Sequence, residues 1–232
     1  MPLPRLRQVA LVAAELAPVA ERLQRELGLH DPYADPGVSE FGLENAVYPV
    51  GDTFLEVVAP VREDTTAGRY LAKRGGDGGY MAIFQVPDMD EARKRVADLG
   101  VRVVWQADLD DIAGTHLHPR DVPGAIVSLD WADPPGSWHW AGPAWTGGQP
   151  PHDDGGITGI TVEAPEPERL AQRWADVLGV TADGPRIVLD DGAQLLRFVP
   201  SAGAEGIVAV EATLPGADRR CEVGSATIEI TG

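Results

Sequence analysis

One stretch of this chain is written twice. Gly51-Asp-Thr-Phe-Leu-Glu56-Val-Val58 lines up with Gly192-Ala-Gln-Leu-Leu-Arg197-Phe-Val199 at a constant offset of 141 residues. Gly79 to Pro87 (GYMAIFQVP) has a weaker echo in Ile207 to Pro215 (IVAVEATLP). Repeats of this length point to duplicated supersecondary units that share a core. The apolar pattern says what the unit is. Arg5 to Ala13 reads as a strand, and Ala14 to Leu27 carries Leu16, Val19, Leu23 and Leu27 at helical spacing before Gly28. A hairpin follows, Leu43 to Val50 and Thr53 to Ala59, turning at Gly51-Asp52. The order β-α-β-β leaves room for one more short strand. It recurs as a strand at Gly79 to Val86, a helix from Asp88 to Leu99, a strand at Val101 to Trp105, and a hairpin of Ile112 to His118 with Gly124 to Asp130.

A Trp, Pro and Gly-rich stretch, Trp131 to Asp154, then interrupts the pattern and reads as a linker. The unit starts again with a strand at Gly156 to Ala164, a helix over Pro165 to Leu178, and a hairpin of Arg186 to Asp190 with Ala193 to Val199. After Pro215 no helical spacing is visible, so the fourth unit is expected to lack its helix. The expected class is α+β: tandem βαβββ modules forming curved mixed sheets with helices on the outer face. The expected division is a two-module domain over 1–130, a linker over 131–154, and a degenerate second domain over 155–232.

Composition narrows the function classes. Nineteen Lys and Arg stand against thirty-six Asp and Glu, a net charge of −17. Such a chain should repel nucleic acid and anionic membrane surfaces. No apolar run approaches the ~20 residues of a membrane span, and the start, Met1-Pro-Leu-Pro-Arg, has no signal-peptide pattern. A cytoplasmic protein, monomer or homodimer, with a small-molecule ligand or substrate is expected. Cys221 is the sole cysteine, which excludes an intramolecular disulfide or a Cys-cluster centre. Gly75 to Gly79 is Gly-rich but precedes a strand, so it is read as a connection and not as a phosphate cradle.

The motifs resemble the vicinal oxygen chelate superfamily of glyoxalase-like proteins, nearest in pattern to its methylmalonyl-CoA epimerases. Glu56-Val-Val-Ala-Pro60 followed by Tyr70-Leu-Ala-Lys-Arg-Gly75 resembles that group's E-L-L-E-P and F-L-x-K-R-G. Met81 to Val86, Leu117-His-Pro-Arg-Asp121 and Gly124 to Leu129 resemble H-I-A-F-E-V, F-L-H-P-K and G-V-L-V-E-L. The match covers residues 5–130 well and the remainder in outline.

The resemblance implies a lyase or isomerase acting on a small carbonyl or acyl substrate. It also implies a divalent metal held in a cup by one ligand from each of four strands. Those four positions fall on Gln8, Glu56, Met81 and Ser128. A hard divalent ion wants carboxylate or imidazole donors, whereas Met81 is a soft thioether and Ser128 a weak neutral hydroxyl. A metal would then need a relocated site. His116 and His118, two apart on a strand, project to one face and could meet Glu56 and Gln8. Glu56 could instead serve as a general base with its pKa raised by apolar neighbours, helped by His118. Without chemistry, the cup is that of a metal-free, drug-sequestering type of binding protein, lined by Phe54, Tyr80, Met81 and the linker tryptophans. In the second half the equivalent positions are Gly159, Arg197, about Ala209, and Glu229, where an Arg197–Glu229 ion pair would close the cup.

Overall fold

The computed structural model describes residues 3–146, 154–203 and 205–232. The chain runs β1 (Arg5–Val12), α1 (Leu16–Leu27), β2 (Leu43–Val50), β3 (Thr53–Pro60), α2 (Thr66–Arg74), β4 (Gly78–Gln85), α3 (Met89–Asp98), β5 (Val103–Asp108), β6 (Ile112–Leu117) and β7 (Ile126–Ala132). Beyond the linker come β8 (Gly156–Ala164), α4 (Pro167–Leu178), β9 (Ala182–Asp183), β10 (Arg186–Leu189), β11 (Gln194–Pro200), β12 (Gly206–Thr213), β13 (Arg219–Val223) and β14 (Ala226–Thr231). The fold is α+β. Two seven-stranded mixed sheets form, in the orders β2-β3-β1-β4-β7-β6-β5 and β13-β14-β12-β8-β11-β10-β9.

The duplicated segment holds equivalent places in both sheets. Phe54 sits beside Gln8 across the parallel β1–β3 pair, and Leu195 sits beside Gly159 across the parallel β8–β11 pair. Where the first unit had room for a short strand there is a single bridge, Tyr33 to Val47. The fourth unit lacks a helix between β12 and β13, as its sequence pattern implies. Helix α1, from the first unit, packs against β13 instead. Arg219 on β13 donates from Nη1 to the C-terminal carbonyl of Leu27 at 2.9 Å, where the helix dipole favours a cation. Helix α2 is an element beyond the repeating pattern: Thr65 caps it by accepting from the Gly68 N–H, and Gly75 ends it in the left-handed region.

Strand alternation gives each sheet two faces. One face of both sheets, together with α1, α3 and α4, forms a single apolar core. Trp174 of α4 is fully buried there. Its ring makes edge contacts with Phe84 of the first sheet at 6.0 Å and Phe198 of the second at 5.4 Å, and its indole N–H donates to the Pro123 carbonyl at 2.8 Å. At the seam β4 meets β12 so closely that a Cβ on Gly79 would lie 2.4 Å from Ile207 Cβ. The glycines read as a connection therefore end inside a strand, at a close approach.

Gln194 crosses the seam. Its side-chain oxygen accepts from the Leu6 N–H at 2.7 Å, and its amide nitrogen donates to the Leu6 and Ile157 carbonyls at 2.8 and 2.9 Å. All three are backbone groups of strands at the join of the two sheets. Replacing Gln194 by Leu strands them in a buried setting, and a loss of about 2–4 kcal/mol is expected from the penalty for unpaired buried polar groups. Urea titration checks it, with a lowered midpoint at unchanged slope as the expected result.

Candidate functional site

The opposite face of the first sheet carries every position the family resemblance singles out. Gln8, Ala10 and Val12 of β1, Phe54, Glu56 and Val58 of β3, Met81 and Ile83 of β4, and Ser128 and Asp130 of β7 share it by alternation. A register shift between Leu6 and Gln8 marks a bulge at Arg7. Bulges re-aim side chains, and here the fully buried Arg7 guanidinium lies over the rings of Phe54 and Trp138, 5.5 and 5.3 Å from their centroids. A second shift between Ala10 and Leu11 leaves Tyr80 outside the register, and Tyr80 and Met81 both join the apolar cluster of this cup.

At the centre is Glu56. It is 6 % exposed and accepts from Gln8 Nε2 at 2.8 Å and Asn45 Nδ2 at 2.6 Å. Burial raises its pKa, opposed by these two amide hydrogen bonds. Tyr80, whose phenol is also pushed up by burial, feels the Glu56 charge. Gln8 passes the chain on: its Oε1 accepts from the indole N–H of Trp138 at 2.7 Å.

Trp138 brings the linker into the site. It is fully buried, and its ring stacks over Phe54 at 6.2 Å with planes 7° apart. Trp145 meets Phe54 edge-on at 4.6 Å. Short 3-10 turns at His139–Ala141 and Pro143–Trp145 shape this stretch. Within the stretch read as a linker over 131–154, residues 131–132 finish β7 and residues 138–145 roof the cup. Residues 147–153 lie outside the described residues.

A second acid sits farther along the same face. Asp130 is 1 % exposed, accepts from the Ser128 hydroxyl, and accepts from the Trp140 indole N–H at 2.7 Å. Burial, opposed by these two bonds, pushes its pKa up to about 7. His116 stands opposite Ser128 across β6 and β7. Its ring packs on Trp105 at 4.3 Å and near Phe41 at 6.2 Å, and burial lowers its pKa to about 4, so it is neutral at pH 7.

The relocated metal arrangement is not assembled. Strand β6 ends at Leu117, so His118 does not extend the face of His116. His118 begins the turn, where its Nδ1 accepts from the Arg120 N–H at 3.1 Å. Among the described residues no three His, Cys, Asp or Glu side chains gather in a metal-holding group. The four family positions do not fit a hard divalent ion either. Gln8 and Glu56 are bonded to each other, the Ser128 hydroxyl is given to Asp130, and Met81 offers only sulfur.

In the second sheet Arg197 pairs with Glu211, and Glu229 pairs with Arg220 at 3.2 Å, which corrects the expected Arg197–Glu229 bridge. Register explains it: Glu211 and Glu229 are neighbours across β12 and β14, and Glu211 also lies beside Gly159. Cys221 is buried and its thiol is pushed up to about 11, a poor nucleophile. Trp138 joins the cup as one of the linker tryptophans expected to line it, whereas Asn45, Asp130 and Arg7 are site residues that the sequence pattern did not mark. Asn45 and Asp130 could have been found by extending the alternation of β2 and β7. The bulge at Arg7 leaves no mark in the sequence.

No helix among the described residues is long and apolar enough to cross a membrane. Asp130 makes stability depend on pH. Its folded-state pKa near 7 lies above the ordinary carboxyl value of 3.8. Between those values the folded chain keeps a proton that the unfolded chain has lost, so the contribution of Asp130 to stability is fully present below pH 3.8 and is lost as pH rises toward 7. The loss is expected to be on the order of 4 kcal/mol. In thermal melts from pH 4.5 to 7.5, Asp130→Asn is expected to flatten the decline, while Asp108→Asn, at an exposed carboxyl, leaves it in place.

A family model described as a glyoxalase-like domain matches residues 9–178. The chain is similar to an ethylmalonyl-CoA/methylmalonyl-CoA epimerase from Cereibacter sphaeroides, 26 % identical over 134 residues, covering 54 % of this chain and 96 % of that protein. It is also similar to the mitochondrial methylmalonyl-CoA epimerase of Homo sapiens, 26 % identical over 134 residues, with 55 % and 74 % covered. Among solved structures, Streptomyces coelicolor methylmalonyl-CoA epimerase with 2-nitronate-propionyl-CoA aligns at a TM-score of 0.50 and 26 % identity, over 56 % of this chain and 98 % of that one. A methylmalonyl-CoA epimerase with methylmalonyl-CoA and NH4+ aligns at 0.51 and 25 % identity, over 61 % and 99 %. These relatives account for little more than half of this chain. The chain belongs to the glyoxalase-like domain family, within the vicinal oxygen chelate superfamily.

Proposed function

We propose that this chain is an isomerase-type glyoxalase-like protein that moves a proton next to the carbonyl of a small acyl compound, with Glu56 as the proton-transfer group and without a divalent metal. One observation carries the reading. Of the four family positions, Glu56 alone keeps an acid, and it is buried beside Gln8, Asn45 and Tyr80 with its pKa raised. A carboxyl tuned upward is matched to taking and returning a proton near neutral pH. Abstraction leaves negative charge on the carbonyl oxygen, and neutral N–H and O–H donors must receive it. Gln8 and Asn45 supply amide donors within reach of Glu56, and Tyr80 stays a neutral phenol. His118, held in its turn, has no part in this scheme. Acyl-CoA thioesters are the first substrate class to try, because the similar solved structures carry them.

A second reading has its own support. Trp138 fills the cup above Gln8, and Phe54 stacks on it, as a planar guest would. On that reading the protein sequesters a ligand and performs no chemistry.

Incubation of the protein with methylmalonyl-CoA in D2O, followed by NMR of the α-proton, tests the first reading. Exchange catalysed by the native chain is expected to fall by about 10²-fold or more in Glu56→Gln, the range for a lost acid–base group. Exchange that persists unchanged in that variant sinks the role of Glu56. Binding without exchange, across a panel of acyl thioesters, selects the second reading.

A further inference from the structure

We infer that the first cup is a site for a planar aromatic carboxylate, and that the indole of Trp138 occupies that site as a displaceable surrogate. The inference rests on the proposal that the cup is a small-molecule site, and it names the ligand class.

The shape comes from the surrogate. Trp138 is 0 % exposed, its ring is parallel to that of Phe54, and the Arg7 guanidinium lies over both rings. Its one polar atom donates to Gln8 Oε1 at 2.7 Å. The slot therefore accepts a flat ring, offers a cation above it, and rewards an N–H at one edge. Indole satisfies the ring and the edge, but it brings no charge to a cation that shares the Asp52 carboxylate with Arg5.

The charge comes from Arg5 and Arg7. Both are buried, at 2 % and 0 % exposed. Among the described residues one carboxylate pairs with them, Asp52, at 2.5 Å from Arg5 Nη1 and 3.5 Å from Arg7 Nη1. Gln85 Oε1 accepts from both guanidinium groups, at 3.1 and 3.4 Å, and the Gly136 carbonyl accepts from Arg7 Nη2 at 3.0 Å. Arg5 Nη2 and Arg7 Nε remain buried with no partner. Two buried cations against one anion, in a chain of net charge −17, is an unusual arrangement to leave unfinished. A ligand carboxylate would supply the missing charge and accept from an unpaired N–H, which a neutral ring cannot do.

Displacing the Trp138 side chain would break its bond to Gln8 but no strand pairing. Trp138 stands between β7 and the 3-10 turns, outside any strand pairing, and its backbone N–H bonds to the Trp145 carbonyl within the same loop. The ligand must compete with Trp138, so its apparent affinity is reduced by the closed fraction.

Calorimetry of the full chain with indole-3-acetate, and with its uncharged isostere indole-3-acetamide, tests this. The native protein is expected to bind the carboxylate about tenfold or more tightly than the amide, the ratio for one charge-assisted bond. The Trp138 indole N–H resonance, assigned by its loss in Trp138→Phe, is expected to shift on binding. Trp138→Ala removes the surrogate and should tighten carboxylate binding about tenfold or more. Should that variant fail to fold, Trp138→Phe, which keeps a ring but loses the bond to Gln8, is read in its place with the same expected direction. Equal binding of carboxylate and amide overturns the ligand class. No gain in the folded Trp138 variants overturns displacement, and no binding by native protein or variants overturns the site. Absence of α-proton exchange in the native chain, with carboxylate binding intact, would remove the catalytic proposal and leave this one standing.

Discussion

Trp174 is where the two halves of the chain become one core. A sheet needs both faces accounted for, and the first sheet alone would leave Phe84 and its neighbours on an open apolar face. Helix α4 belongs to the second half by sequence, yet its tryptophan touches Phe84 of one sheet and Phe198 of the other. Helix α1 does the reverse, covering β13 across from its own unit. The lost helix of the fourth unit is therefore compensated by exchange between halves. Gln194 completes the join by hydrogen-bonding backbone groups of both sheets.

With one face of each sheet committed to that core, the remaining faces diverge. The first is roofed by α2, by the turn at Pro36–Phe41, and by the tryptophans after β7, and it has become a second apolar cluster with polar groups inside it. The second keeps surface character: Arg197 and Glu211 are partly exposed partners, and Val188 is 57 % exposed. A duplicated fold thus carries two cups in different states. Burial tunes the groups of the first one, raising Glu56 and Asp130 and lowering His116. The same residues on an open sheet face would titrate near their ordinary values.

The chemistry follows from what burial permits. A hard cation needs several anionic or imidazole donors converging on one point, and the family positions here converge on an amide, one carboxylate, a thioether and a hydroxyl that is already used. A buried carboxyl with amide donors suits proton transfer better than metal binding. The roof then becomes the central question of access, because Trp138 is tied to Gln8, and Gln8 to Glu56. Any substrate of this site must first undo that chain of contacts.

Periodicity and the repeat determined the module order, the three hairpins, the missing fourth helix and the strand positions of Gln8, Glu56, Met81 and Ser128. These were legible because alternation and helical spacing are local properties of the chain. Helix α2 was obscured because its first turn carries the poor helix formers Thr66 and Gly68, and it ends in a Gly-rich run. Only tertiary structure decided the rest. The bulge that aims Arg7 inward depends on pairing with β4 and leaves no sequence signature. The direction of His118 was set by where β6 ends. The partner of Arg197 was set by strand order. The placing of Trp138 required a loop to fold back onto a sheet formed by residues far away in sequence, and no local pattern encodes such a contact, because its energy exists only once the sheet is there to receive it.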